Sequence, residues 1–350
     1  MGPRRDRLRP WAGSTRVLGK CAPIRVLVTG ATGFIGGNLA RELSRRGHEV
    51  RALVRQGSNT LTIEDTGVQP IPGDILDQES VVRAMDGCEG VYHCAAVYSF
   101  WSRDPTLVHR TNVEGTAIVL KAAGQAGVAK VVYTSTVSTI DLPPQGMGTE
   151  DTPADPRHLA GKYKRSKHEA ERLALTMAAE GLPVVVVNPT APVGPWDVKP
   201  TPTGRILLDF LRRRIPAYLA TGMNLVDVAD VAEGHILAME KGQSGQRYIL
   251  GNRNVTLLEV FKLLQELTGI PAPRWRLPYW LAKSMGHVDQ LLEGTLLRRE
   301  PRIPLEGIKV AQRPMYVSCE KAIRELGLPQ SPVETALENA VRWFTGHGYI

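Results

Sequence analysis

Three side chains near the middle of the sequence have the types and spacing required for acid–base chemistry at a carbonyl or hydroxyl oxygen. Tyr163 and Lys167 are four residues apart in a helical segment, so they share one helix face. An ammonium beside a phenol lowers the phenol's pKa, and the tyrosine then exchanges a proton near neutral pH. Thr136, just beyond an apolar strand, can hydrogen-bond the same substrate oxygen. The three residues therefore predict hydride transfer between a nicotinamide and a carbonyl or alcohol carbon.

A glycine-rich turn supplies a site for the dinucleotide that this chemistry uses. The apolar run 24–29 predicts a buried strand, and the spacing G-x-x-G-x-x-G follows it before an amphipathic helix begins. Gly30 permits a tight turn, Gly33 lets the backbone approach a pyrophosphate, and Gly36 lets the helix pack closely on the strand. The helix N-terminus offers its N–H groups to the phosphates. The cofactor-binding residues predicted here are Gly30, Thr32, Gly33, Phe34, Ile35 and Gly36.

The end of the second predicted strand, 49–54, indicates which dinucleotide binds. It leads into Arg55 rather than a carboxylate, which would bind both ribose hydroxyls of NAD and repel a 2′-phosphate. Arg55, with Arg51 nearby, would attract that phosphate, so this strand end favours NADP(H) over NAD(H). The alternative is that both are solvated surface arginines.

Residues at the ends of later strands add predicted cofactor contacts. After the third strand, Asp74 can accept from the adenine amine and Ile75 can cover the ring; a helix cap near Asp77 is the competing interpretation. Ala95 and Ala96 follow the fourth strand and are small enough for close cofactor approach.

A cluster of aromatic residues indicates the substrate side. Tyr98, Phe100 and Trp101 lie in the loop after the fourth strand, where such a cluster lines a pocket or forms a satellite core. Lys199 and Arg205 follow the sixth strand and can contact substrate charge.

Strands and helices alternate up to residue 189, and the strands are near-continuous apolar runs, which is typical of a parallel sheet covered on both faces. Long helices are predicted at 105–126 and 159–180. We therefore predict an α/β fold, with a Rossmann-type doubly wound domain at 24–189. Residues 190–350 form mainly a smaller C-terminal substrate-binding lobe, with some segments returning to the Rossmann domain.

Charge and composition exclude several classes of protein. The formal net charge is +8, but residues 1–23 hold six basic residues and one acid, which leaves only +3 for the rest and argues against nucleic-acid binding. Residues 1–23 are expected to be a disordered basic extension or a mis-assigned start. The sequence contains no apolar stretch of 18 or more residues, so we expect no transmembrane helix. The cysteines and histidines lack metal-site spacing, so we expect reduced thiols, no metal and a cytoplasmic protein.

The expected partner is a small-molecule substrate, and a homodimer and a weak membrane-surface contact stay open. The segment 275–292 has scattered aromatic residues and fits a lid, an oligomer contact or a membrane-touching face.

Residues 24–345 resemble an extended short-chain dehydrogenase/reductase of the NAD-dependent epimerase/dehydratase family. The sequence is most similar to the hopanoid-associated sugar epimerase group, and also to the dihydroflavonol reductase and 3β-hydroxysteroid dehydrogenase branches. The matching stretches are YKRSK at 163–167, VNPT at 187–190, KPTPTGR at 199–205 and NLVDV at 224–228. The resemblance implies that Thr136, Tyr163 and Lys167 are catalytic, and that Asn188 and Pro189, at the sixth strand's end, lie near the nicotinamide.

The sequence departs from the nucleotide-sugar epimerases of that family in one segment. Their R-D-x-x-H-V-x-D pattern carries an arginine for the diphosphate, whereas residues 223–230 read MNLVDVAD. We therefore predict an NAD(P)-dependent oxidoreductase acting on a ketone or secondary alcohol of an apolar or isoprenoid-like substrate. The alternatives are an NAD-retaining sugar epimerase and a non-catalytic cofactor-sensing protein.

Overall fold

A computed structural model describes most of the chain from residue 23 onwards. The described residues are 23–98, 104, 106–143, 146–152, 154, 159, 161–291, 293 and 305–350. The predictions for residues 1–22, Phe100 and Trp101 lie outside them.

The order of strands and helices follows the predicted alternation. The strands are β1 (Arg25–Thr29), β2 (Glu49–Val54), β3 (Gln69–Pro72), β4 (Gly90–His93), β5 (Lys130–Thr134), β6 (Val184–Pro189), β7 (Ala191–Val193), β8 (Ala217–Tyr218), β9 (Gly222–Asp227), β10 (Arg247–Leu250), β11 (Arg253–Thr256) and β12 (Trp275–Arg276). The α-helices are α1 (Phe34–Arg45), α2 (Gln78–Met85), α3 (Leu107–His109), α4 (Gly115–Ala126), α5 (Lys162–Ala179), α6 (Pro202–Leu211), α7 (Val228–Lys241), α8 (Leu257–Thr268), α9 (Tyr279–Asp289), α10 (Leu305–Val310), α11 (Glu320–Leu326) and α12 (Val333–Gly346).

Seven of the described strands form one parallel sheet in the order β3-β2-β1-β4-β5-β6-β10. Successive side chains of a strand point to opposite faces, so Val26 and Val28 enter one core and Leu27 the other. Helices α1, α7 and α11 cover the first face, and α2, α4 and α5 cover the second. The predicted doubly wound α/β fold is confirmed.

The C-terminal half builds a second core and also extends the first sheet. Strand β10 pairs with β6, whereas β7, β9 and β11 form a separate small sheet and β8 pairs with β12. The second core lies under α6, α8 and α12, where Phe210 stacks on Phe261 at a centroid distance of 5.6 Å. None of the helices in the described ranges is long and apolar enough to cross a lipid bilayer.

The predicted helix at 105–126 is interrupted by a π-helical turn at Arg110–Glu114. Asn112 in this turn is buried. Its amide Oδ1 accepts from Val97 N at 2.8 Å, and its Nδ2 donates to Ser166 Oγ at 2.9 Å. These long-range hydrogen bonds stabilise the wider turn, and residue periodicity carries no signal for them.

Candidate active site

Gly30 lies at the end of β1, where the strand order reverses between β2 and β4. Open α/β sheets bind ligands at such a switch point. Gly30 has φ +76°, and a Cβ built there would lie 2.7 Å from Ala95 N. A Cβ on Gly36 would lie 2.3 Å from the Gly30 carbonyl oxygen. Both positions therefore require glycine, as the sequence predicted.

Helix α1 begins directly after this turn, with Gly33 as its N-cap. No side chain of the described residues caps the helix, and its first turn contains no acid. The N–H groups around Thr32, Phe34 and Ile35 thus form an uncapped positive helix end, the usual partner of a phosphate. This cradle fits the pyrophosphate of a dinucleotide.

The buried His93 links the strands and the helix behind the Gly30 turn. His93 Nδ1 and Thr29 Oγ1 are 2.7 Å apart, and His93 Nε2 lies 3.0 Å from Thr116 Oγ1. Thr29 Oγ1 also accepts from Ala95 N at 3.3 Å. Burial lowers the pKa of His93 to about 3, so the ring is neutral and acts as a hydrogen-bonding bridge between β1, β4 and α4. Sequence reasoning missed this residue, because its role depends on the sheet order.

Arg55 and Asp74 line a cavity of about 730 Å³ beyond β2 and β3, together with Ser80 and Arg83. Arg51 does not line it, because its guanidinium donates to the Asp86 carbonyl oxygen at 2.7 Å. The expectation that Arg51 accompanies Arg55 is therefore wrong. The second arginine of the cavity lining is Arg83 from α2, which lies 3.8 Å from the Glu79 carboxylate.

The two residues that were predicted to contact adenine, Asp74 and Ile75, lie in different surroundings. Asp77 caps α2 by accepting from Glu79 N at 3.1 Å, and Asp74 Oδ1 accepts from Leu76 N at 2.9 Å. Ile75 is buried against Gly115, where an added Cβ would meet Ile75 Cδ1 at 2.7 Å, and it does not line the cavity. Asp74 keeps its place beside the cavity, whereas Ile75 belongs to the core.

Tyr163, Thr136 and Tyr98 meet near the carboxyl end of β5. The Tyr163 phenol is buried and close to the Thr136 side chain, whose hydroxyl donates to Ser138 Oγ at 3.3 Å. The Tyr98 ring lies 4.6 Å from the Tyr163 ring, centroid to centroid. Burial raises the pKa of Tyr163, and the nearby Thr136 hydroxyl opposes this only in part. The expectation of a lowered phenol pKa was wrong, because burial raises it and the Lys167 ammonium bonds to Thr134 and Tyr133 instead.

Lys167 is buried one helical turn beyond Tyr163. Its Nζ donates to the Thr134 carbonyl oxygen at 2.7 Å and to the Tyr133 hydroxyl at 2.9 Å. Burial lowers its pKa to about 8, while the negative charge of Glu171 acts in the opposite direction. The ammonium therefore remains mainly charged at neutral pH and lies between the strand end and the next acid on the helix.

Glu171 continues the spacing of four residues and lies fully inside the protein. Its Oε2 accepts from Thr139 Oγ1 and from Asn188 Nδ2, each at 2.8 Å. Its Oε1 accepts from the Arg247 guanidinium at 3.1 Å. The carboxylate thus joins α5 to the ends of β5, β6 and β10. The spacing of four residues after Lys167 could have identified Glu171 from the sequence. No sequence pattern pointed to its partner Arg247.

Two buried polar atoms at adjacent strand ends have no hydrogen-bond partner in the described chain: Ser135 Oγ and Asn188 Oδ1. Buried polar atoms are normally bonded, and the buried Pro189 follows directly. Unsatisfied acceptor and donor capacity at the carboxyl ends of β5 and β6 fits the polar end of a nicotinamide cofactor.

Lys199 and Arg205 lie on a different element from the other predicted site residues. Both are exposed, Lys199 before α6 and Arg205 in it. Arg205 lies near the buried Asp197, whose carboxylate accepts from Thr201 N at the start of α6. Their contact with substrate stays a prediction, as do the contributions of Phe100 and Trp101.

Comparisons with known proteins agree with this geometry. Residues 26–251 match the NAD dependent epimerase/dehydratase family. A Synechocystis sp. protein provisionally named a dihydroflavonol 4-reductase is 44% identical over 92% of this chain and 95% of its own length. The 4-hydroxy-2-methyl-3-oxo-4-farnesyl-3,4-dihydroquinoline-1-oxide ketoreductase of Stigmatella aurantiaca is 34% identical over 87% of this chain and 91% of its own. A structure described as a nucleoside-diphosphate-sugar epimerase from Pseudomonas aeruginosa has TM-score 0.77 and 27% identity, covering 94% of this chain and all of that one.

The lowered pKa of Lys167 predicts a pH-dependent contribution to stability. Its pKa is about 8 in the folded chain and 10.5 ordinarily, so between these values the unfolded chain binds more protons and the free energy of unfolding rises with pH. We expect the wild type to gain up to about 3 kcal/mol over Lys167→Met across this range. Urea denaturation at several pH values between 7.5 and 10.5 measures the difference. The exposed Lys162→Met on the same helix is the control, and parallel curves for wild type and Lys167→Met would contradict the assignment.

Proposed function

The chain belongs to the NAD-dependent epimerase/dehydratase family of extended short-chain dehydrogenases/reductases, and we propose that it transfers hydride between NADP(H) and a ketone or secondary alcohol of an apolar, isoprenoid-like substrate. The observation that carries this proposal is the buried Tyr163 phenol, which lies close to Thr136 at the same sheet edge as the Gly30 cradle. A phenol, a hydroxyl and a dinucleotide cradle along one edge are the parts that carbonyl reduction needs.

The protein's side chains handle the proton in this proposal. A nicotinamide cofactor held in the Gly30 cradle would supply the hydride for the carbonyl carbon. Tyr163 donates a proton to the carbonyl oxygen, and Thr136 hydrogen-bonds that oxygen. The phenol is protonated at neutral pH, as proton donation in the reduction direction requires. Lys167 is buried one helical turn beyond Tyr163, where Thr134 and Tyr133 accept its hydrogen bonds.

Three observations support the proposed substrate class. The Tyr98 ring, packed on Tyr163, offers an aromatic surface next to the reacting group. One relative at 34% identity is a ketoreductase with a farnesyl group in its substrate name. In contrast, Met223 stands where the family's epimerases carry arginine, and its neighbour Asn224 bonds to Asn252 and Asn254. This segment therefore offers no cation to a sugar nucleotide.

NADP(H) is the proposed cofactor because two arginines face the cavity beyond β2. Arg55 and Arg83 can both approach a 2′-phosphate there. The single acid that usually selects NAD at the end of the second strand is absent from this position.

Removal of the phenol hydroxyl tests the proposed proton donor. We expect Tyr163→Phe to lower the turnover number at least about a hundredfold, the lower end for general acid–base groups, with NADPH affinity nearly unchanged. Stopped-flow or steady-state NADPH oxidation with a ketone panel measures turnover, and fluorescence titration measures cofactor affinity. Tyr98→Phe removes a hydroxyl from the neighbouring tilted ring and is the matched control. Wild-type turnover in Tyr163→Phe would contradict the mechanism.

A charge reversal tests the cofactor preference. Arg55→Glu should weaken NADPH binding about tenfold to a hundredfold, since a charge-assisted hydrogen bond contributes about 1.5–3 kcal/mol, while NADH binding changes little. Calorimetric titration of both cofactors gives the ratio. Arg214→Glu makes the same charge change at an exposed position after α6 and should leave the ratio unchanged. Tighter NADH binding by the wild type would show that the preference is for NAD.

Cofactor release separates the reductase from the sugar epimerase, which the Pseudomonas structure keeps as the second candidate. An epimerase keeps its cofactor between half-reactions, whereas a reductase releases it in every turnover. We expect purified protein to contain little nicotinamide cofactor, to consume one NADPH for each carbonyl reduced, and to show no calorimetric binding of UDP-hexoses. Retained NAD together with sugar epimerisation and no net absorbance change would favour the epimerase.

A further inference from the structure

Helix α9 carries an apolar face that the rest of the described protein leaves uncovered. The exposed fractions are 68% for Trp280, 57% for Val288 and 57% for Leu291. Val288 lies about two helical turns after Trp280, and Leu291 lies in the π-helical turn that directly follows α9. We call these three side chains the α9 face. Trp275 in the adjoining β12 is 77% exposed. Large exposed apolar side chains gathered on one element mark an interaction site.

The opposite side of α9 is already used for packing. Ala282 and Gly286 are buried, and the helix packs against α10. The one polar residue within the stripe, Ser284, donates its hydroxyl to the Trp280 carbonyl oxygen at 3.0 Å. The hydroxyl hydrogen is therefore satisfied within the helix, and the α9 face stays apolar towards solvent.

Positive charge borders the α9 face. Arg274, Arg276 and Lys283 are exposed, and no ion pair involves them within the described ranges. Residues 267–288 contain no acidic residue, and Asp289 at the end of α9 has an interaction partner. An apolar stripe with tryptophan and a basic border is the composition of helices that lie in the plane of a membrane interface.

We propose that the α9 face docks the protein on the surface of a bilayer that contains anionic phospholipids. Tryptophan suits this location because its ring is apolar and its N–H remains near water. The border cations are attracted to lipid phosphates. A second copy is a poorer occupant, because a twofold contact places the same surface against itself and would bring the three cations of each copy together. The proposal goes beyond the proposed reaction and holds whatever the substrate.

Vesicle binding by the full chain tests the proposal. Flotation with vesicles of phosphatidylcholine alone, or with phosphatidylglycerol at about one third, measures the bound fraction. We expect binding to the anionic vesicles, weaker binding as salt rises, and loss of binding in the triple variant Trp280→Ser, Val288→Ser, Leu291→Ser. The double variant Arg274→Glu, Arg276→Glu should bind the vesicles at least about fivefold more weakly for each arginine replaced. The basic residues of 1–22 are the same in every variant, so differences between variants report on α9.

Two controls keep the outcome clear. Val82→Ser removes an exposed apolar side chain from α2 and should leave vesicle binding unchanged. Melting temperatures and NADPH oxidation of all variants confirm that each has folded. Equal binding by wild type and the triple variant would overturn the proposal, as would no binding by the wild type. A wild-type dimer that the triple variant converts to a monomer, without vesicle binding, would assign the face to a second copy instead.

Discussion

Two buried charges on one helix constrain the arrangement of the candidate active site. Lys167 and Glu171 lie four residues apart in α5, and both are nearly inaccessible to solvent. A buried charge is costly unless it is paired and hydrogen-bonded. The ammonium is satisfied by Thr134 and Tyr133, and the carboxylate by three donors from separate segments. These requirements fix how α5 sits on the sheet, and thereby where Tyr163 lies.

The same contacts connect the two halves of the sequence. Arg247 belongs to β10, which comes from the C-terminal half but pairs with β6 in the main sheet. Besides Glu171, its guanidinium bonds to the Glu150 carbonyl oxygen, and the Glu150 carboxylate accepts from Ile249 N at 2.8 Å. The segment before α5 and the last strand of the sheet are therefore tied to one another around the acid. The site and the sheet edge are one hydrogen-bonded unit.

The features that depend on local pattern could be predicted from the sequence, and those that depend on tertiary contacts could not. Apolar strand runs and the Gly30 turn gave the sheet and its switch point, because burial and tight backbone approach restrict residue type directly. Arg51 was expected beside Arg55, but a carbonyl oxygen at the end of α2 binds it. The pKa direction for Tyr163 was wrong because spacing places Lys167 on the same helix face without saying which groups receive its hydrogen bonds. The π turn at Asn112 likewise follows from partners distant in sequence.

The pairing of Glu171 with Arg247 also imposes an order on biosynthesis. The two residues are 76 positions apart, and the ribosome delivers the acid first. A nascent chain that ends at β6 already contains every strand of the sheet except β10, yet its α5 carries a carboxylate whose guanidinium partner has not been made. Domains generally fold as units during synthesis. This domain cannot add β10 to its sheet, or pair the buried Glu171 with Arg247, until translation has passed well into the second half of the chain.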